Sequence, residues 1–115
     1  MTLLSFYKAL ADDTRLKTLL LLSAEQELCV CELMVALNLS QPKISRHLAL
    51  LKEANLVHSR RQGTWVFYSL SASLEPWQQQ LLSSKLDHNL AVINDNLMTL
   101  NAMGDRPERI TTCCV

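Results

Sequence analysis

The sequence predicts a mainly helical α+β domain: four helices, a small β-hairpin and a fifth, longer helix. Three observations lead there. Glycine and proline are scarce, 2 and 3 in 115 residues, so little interrupts helices. Apolar residues recur at three- and four-residue steps in both halves of the chain, which is the helical period. Between residues 56 and 70 the period changes to two, that of a strand. The length suits one domain, and 49% hydrophobic against 19% charged residues can fill a modest core, which excludes whole-chain disorder.

Residues 2–10 read as the first helix, with Leu3, Leu4, Phe6, Tyr7 and Leu10 apolar. Asp12 or Asp13 caps a second, running through Arg15 to about Ser23 with Leu16, Leu19, Leu20 and Leu22 inward. Residues 30–37 form a short third helix, with Leu33 and Leu37 on one side. Asn38-Leu39-Ser40 is a turn. Ser40 then caps a fourth helix with Pro42 in its first turn, where a missing N–H costs nothing. Ile44, Leu48 and Leu51 point inward from this helix, which stops near Asn55. From Leu56 to Leu70, Val57, Trp65, Phe67 and Ser69 alternate around Gln62-Gly63 as a β-hairpin. Pro76 opens the last helix, expected to reach about Met103. In it Leu86, Leu90, Ile93, Leu97 and Leu100 recur at steps of 4, 3, 4 and 3. A repeat of about 3.5 residues favours a partner helix over a globular core, so this stripe and the first helix are the expected homodimer interface. The alternative is that the stripe covers its own domain. The folded unit is expected over residues 1–103, with 104–115 a mobile, cysteine-containing tail.

Net charge is zero, but it is unevenly placed. Residues 41–70 carry Lys43, Arg46, Lys52, Arg60 and Arg61 against Glu53, a net of +4, while 11–40 and 71–105 each sum to −3. One basic module between acidic supports suits a face that meets phosphate. It coincides with two helices joined by a short turn and followed by a hairpin, which is a winged helix-turn-helix. With Ile44 and Leu48 inward, Gln41, Lys43, Ser45, Arg46 and His47 are expected toward solvent. Gln and Arg can read base edges, while Lys, Ser and the helix start with Pro42 can hold phosphates. Arg60, Arg61, Gln62 and Gly63 at the hairpin tip suit a phosphate or minor-groove contact. Double-stranded operator DNA is therefore the expected partner.

The chain resembles the ArsR/SmtB family of bacterial metalloregulators, closest to arsenical-resistance operon repressors. The matching stretches are Ala9-Leu10-Ala11-Asp12-Asp13-Thr14-Arg15-Leu16, Glu27-Leu28-Cys29-Val30-Cys31-Glu32-Leu33, Leu39-Ser40-Gln41-Pro42-Lys43-Ile44-Ser45-Arg46-His47-Leu48 and Arg61-Gln62-Gly63-Thr64-Trp65-Val66-Phe67-Tyr68. They occur in the family's order over roughly residues 5–100. The resemblance implies a homodimeric repressor that leaves its operator on binding an inducer ion, arsenic(III) or antimony(III).

Cys29 and Cys31 are the expected ion ligands, because soft thiolates favour thiophilic ions. In a regular helix, residues two apart lie about 200° apart around the axis. Two sulfurs can therefore converge only if the start of the third helix is extended or pulled open. Family members with this element often carry a third cysteine where this chain has Met34, a poor arsenic ligand. Either two thiolates suffice or Cys113 and Cys114 in the tail supply the rest. A zinc, cadmium or lead sensor and a thiol redox switch are the alternatives. His47, His58 and His88 lack second ligands at convincing spacing. No glycine-rich phosphate loop, paired-carboxylate site or nucleophile–base set is found, so no enzyme is expected. The longest apolar run is Leu19 to Leu22, far short of the roughly 20 residues that span a bilayer. With no leader evident, the expected setting is the cytoplasm without membrane contact, and the four cysteines are expected reduced.

Overall fold

The computed structural model describes residues 2–105 and Arg109. In chain order the elements are α1 (Leu3–Leu10), α2 (Asp13–Glu25), β1 (Leu28–Cys29), α3 (Val30–Leu37), α4 (Gln41–Glu53), β2 (Val57–Gln62), β3 (Trp65–Leu70), α5 (Pro76–Leu81) and α6 (Asp87–Asn101). None of the described helices is long and apolar enough to cross a membrane.

Local chemistry sets most boundaries. Asp12 caps α2, its Oδ1 accepting the Arg15 N–H at 3.0 Å. α2 then buries Thr14, Thr18 and Leu19 to Leu22, and so becomes the helix around which the others pack. Asn38, at φ 55° and ψ 50°, takes the left-handed conformation that ends α3 and turns the chain into α4. α4 returns Ile44, Leu48 and Leu51 to the same core.

The sheet is antiparallel in the order β1-β3-β2. β2 and β3 form the expected hairpin, with Gln62 opposite Trp65 and a turn at Gly63-Thr64. Gly63 has φ 64°, at the turn position that disfavours any side chain. The sequence reading missed β1, whose Leu28 and Cys29 pair with Tyr68 and Phe67. This strand ties the Cys29 backbone to the wing.

The expected single last helix is two. α5 ends at Leu81, and α6 starts at Asp87 after Leu86. Leu82 is buried in the core between them. The Asn89 side chain donates to Leu81 O at 2.8 Å and Ser83 O at 3.0 Å, satisfying carbonyls that the break leaves without helical partners. The leucine stripe is likewise not one seam. α6 lies on α2 and α3, so Ile93 and Leu100 fill the chain's own core and Leu97 packs against it. Leu86 and Leu90 face solvent, as do Leu3 and Leu4 of α1.

Candidate nucleic-acid interface and thiol site

α4 presents Gln41, Pro42, Lys43 and Arg46 at the surface, with Ser45 half-buried. Gln41 Nε2 donates to Ser45 Oγ at 2.8 Å, which orients the amide on the exposed face. His47 is not on that face. It is 6% exposed, because it follows Ile44 by three residues and precedes Leu51 by four, inside the helix's apolar stripe. Its Nδ1 lies 3.4 Å from Arg15 Nη1 and 3.9 Å from Asp12 Oδ1. Burial holds His47 below the usual histidine range, and Arg15, Arg46 and Lys43 act the same way against the opposing pull of Asp12. The Arg15 backbone N–H, donating to Asp12 Oδ1, holds that carboxyl below its ordinary value. Arg15 also donates from Nε to Ala9 O at 2.8 Å. The group thus locks α4 to the start of α2.

The wing departs from expectation in one residue. Arg60 lies near the tip but turns back along the sheet, donating from Nε and Nη2 to the Glu27 carboxylate at 2.6 Å each. Its guanidinium stacks over Phe67 at 4.7 Å, and Nη1 donates to Gln62 Oε1 at 2.9 Å. Glu27 holds Arg60 still more firmly protonated than usual. Glu27, the residue just before β1, claims this arginine for the fold, which leaves Arg61, Gln62 and Gly63 as the exposed tip.

Cys29 and Cys31 stand at the junction of β1 and α3. Cys29 has φ −88° and ψ 168°, so it is extended, while Cys31 sits in the first helical turn. The extended start is the condition under which thiols two apart can leave opposite sides of a helix. Both belong to one cluster with Phe67 and Trp65 of the wing. Cys29 is buried and its sulfur accepts the backbone N–H of Glu32, while a Glu32 oxygen accepts the Cys29 N–H at 2.9 Å, a reciprocal cap. Cys31 is disulfide-bonded, so the expectation of reduced thiols does not hold there. Cys113 and Cys114 lie outside the described residues. Among the described residues, no three or more His, Cys, Asp or Glu side chains are placed to hold a metal ion.

His58 pairs with Ser69 across the hairpin, Nε2 to Oγ 3.1 Å, and His88 is exposed on α6, so the histidines do not gather. Sequence reasoning missed Glu32, Glu27 and Arg109. Glu32 was legible: a carboxylate three residues after the residue before a helix is the capping-box pattern. Arg109 reaches Glu32 with Nε to Oε2 2.6 Å, a contact between distant residues that leaves no local pattern.

Comparison with known proteins agrees with this geometry. Residues 12–59 match the bacterial regulatory protein, arsR family. The chain is 47% identical over 108 residues to the arsenic resistance transcriptional regulator ArsR2 of Pseudomonas putida, covering 94% of each. It is 46% identical over 105 residues to the arsenical resistance operon repressor of Escherichia coli, covering 89% of this chain and 90% of that one. Among solved structures, the AntR antimony-specific transcriptional repressor superposes with a TM-score of 0.61 at 25% identity, over 83% of this chain and 79% of that one. The winged helix-turn-helix with its basic surface and these relatives lead to one conclusion: the chain belongs to the ArsR family of bacterial regulatory proteins and is a transcriptional regulator, not an enzyme.

Proposed function

We propose that the protein is an arsenic(III)- or antimony(III)-responsive repressor that binds operator DNA as a homodimer and leaves it when the metalloid binds Cys29 and Cys31. The observation that carries this reading is the place of the two cysteines. They sit where β1 becomes α3, within one cluster with Phe67 and Trp65 of the wing. Thiolates are the donors that suit these ions, and the helix start at Cys29 favours an anion. In binding, each thiol replaces one hydroxide of arsenous acid, forming an As–S bond and releasing water. Cys113 and Cys114 supply further ligands in this reading.

The ion would pull two sulfurs together across the strand–helix junction. α3 then shifts against α4, which packs beside it, and the Cys29–Phe67 pairing shifts the wing. Gln41, Pro42, Lys43, Ser45 and Arg46 are the proposed reading and phosphate contacts of α4, and Arg61, Gln62 and Gly63 those of the wing. His47 and Arg60 act behind them by holding the helix and the hairpin in place.

The disulfide at Cys31 favours a second reading, in which oxidation replaces the ion as the releasing event. One titration separates the two. Release of operator DNA is followed in reductant against arsenite, antimonite, zinc and cadmium, and without reductant against peroxide. Arsenite or antimonite should release the wild type at the lowest concentrations, and Cys29→Ser or Cys31→Ser should abolish this while operator binding persists. Release by peroxide alone would favour the redox reading, and undiminished arsenite release from the double variant would place the sensor elsewhere.

A further inference from the structure

Cys29, Phe67 and Arg60 stand in register on β1, β3 and β2, so their side chains form one row on one face of the sheet. Two positions nearer the tip, Gln62 pairs with Trp65 on that same face, and Trp65 and Cys31 pack against Cys29 and Phe67. The row runs from the thiol site to the exposed tip of the wing. Arg60 is its junction. Its guanidinium stacks over Phe67 at 4.7 Å, donates to Gln62 Oε1 at 2.9 Å and holds the Glu27 carboxylate with two bonds of 2.6 Å.

Glu27 stands two residues before Cys29, at the entry to β1. β1 is two residues long and is paired only with β3. A pair that crosses from the β1 entry to β2 therefore joins the outer strands directly. Folding stability is a poor reason for it, because the Arg60 and Glu27 side chains are 48% and 25% exposed and pairs this open to water add little. What a forked, two-bond pair does fix is geometry.

We propose that Arg60, clamped by Glu27, is the positioning residue that couples the Cys29 and Cys31 site to the exposed tip of the wing. An ion that draws Cys29 toward Cys31 displaces Phe67 and the β1 entry together, and Arg60 carries both displacements to Gln62. The inference rests on the metalloid reading above and deepens it, since it assigns the step between ion binding and DNA release.

The test uses the full-length protein in reductant and separates binding from coupling. Arg60→Gln and Glu27→Gln each remove one charge of the clamp, and Arg60→Lys keeps the charge without the planar fork. Arsenite bound by the DNA-free protein, measured by equilibrium dialysis, should be unchanged in all three. The ratio of operator affinity without arsenite to that with saturating arsenite, in which any change of basal affinity divides out, should fall about tenfold in Arg60→Gln and in Glu27→Gln. It should fall less in Arg60→Lys. The double variant should lose no more than either single one, because the two residues act as one unit. A ratio unaltered in Arg60→Gln would mean that α3 and α4 carry the signal alone and would overturn the clamp. Arsenite affinity of the free protein that falls as far as the ratio would place Arg60 in the ion site and overturn it equally.

A second arm needs no metalloid. Cys29→Ala removes the sulfur that packs on Phe67, and in the wild-type background this should displace the amide NMR resonances of Gln62 and Gly63 at the wing tip. In Arg60→Gln the same substitution should leave them in place. If wild type ignores arsenite but these displacements depend on Arg60, the metalloid reading fails and the clamp stands. If they are the same with and without Arg60, the clamp fails whatever arsenite does.

Discussion

At the scale of single residues, His47 carries a testable consequence of burial. Its ring is kept neutral by desolvation and by the cations Arg15, Arg46 and Lys43, with Asp12 pulling the other way. In the unfolded chain the same ring titrates near 6.5. As pH falls through that value, the unfolded chain takes up a proton that the folded chain resists, so stability falls, by at most about 1.4 kcal/mol per pH unit. Asp12 acts in a separate window: its folded value lies below 3.8, so its contribution is complete above that and is lost only in strong acid. Urea unfolding at pH 7.5 and 5.5 should show the wild type losing stability toward pH 5.5. His47→Asn, which keeps an acceptor near the Nδ1 position, should flatten that slope. Parallel slopes in the two proteins would mean that another group carries the effect.

At the scale of elements, the break between α5 and α6 depends on one side chain. Asn89 donates to Leu81 O and Ser83 O, two carbonyls released by the end of α5. Asn89→Ala removes both bonds, and each is worth about 1 kcal/mol when its acceptor is left partly shielded. A loss of about 1 to 2 kcal/mol in urea unfolding is expected; unchanged stability would show that water replaces the amide at no cost. This break was illegible in the sequence, because Leu86 continues the spacing of Leu90 and Ile93 although it lies before the helix. β1 was hidden for a related reason: two residues carry no period, and they are a strand only because β3 lies beside them. α3 and α4 were legible, since Asn38, Ser40 and Pro42 mark the turn and Ile44, Leu48 and Leu51 mark the inward face. The same spacing already placed His47 inward, and its polar chemistry misdirected the reading. Cys29 and Cys31 were legible as a pair, whereas Glu32 and Arg109 meet only through the tertiary fold.

At the scale of the whole molecule, the remaining question is what covers its exposed apolar side chains. Leu3 is 60% exposed, Leu4 64%, Tyr7 45% and Met98 63%, on the first and last helices. Leu86 and Leu90 add to them, while Ile93, Leu97 and Leu100 are engaged within the chain. Apolar surface of this kind on a protein of zero net charge favours self-association. A second copy also suits the proposed DNA reading. One α4 spans a single half-site, and two related by a dyad can enter major grooves about 34 Å apart. The dimer prediction therefore ties apolar residues on α1 to DNA affinity, although they lie outside the proposed reading face. Sedimentation at micromolar concentration should give a dimer. Leu4→Glu places a charge at the α1 surface without touching the core, so it should leave helix content intact and shift the protein toward monomer. Operator affinity should fall with it, by at least tenfold at nanomolar protein, because dimerisation and two-site binding are linked. Affinity for a single isolated half-site should be unchanged. A wild-type protein that sediments as a folded monomer and still binds a full operator at full strength would overturn the assignment of these two helices.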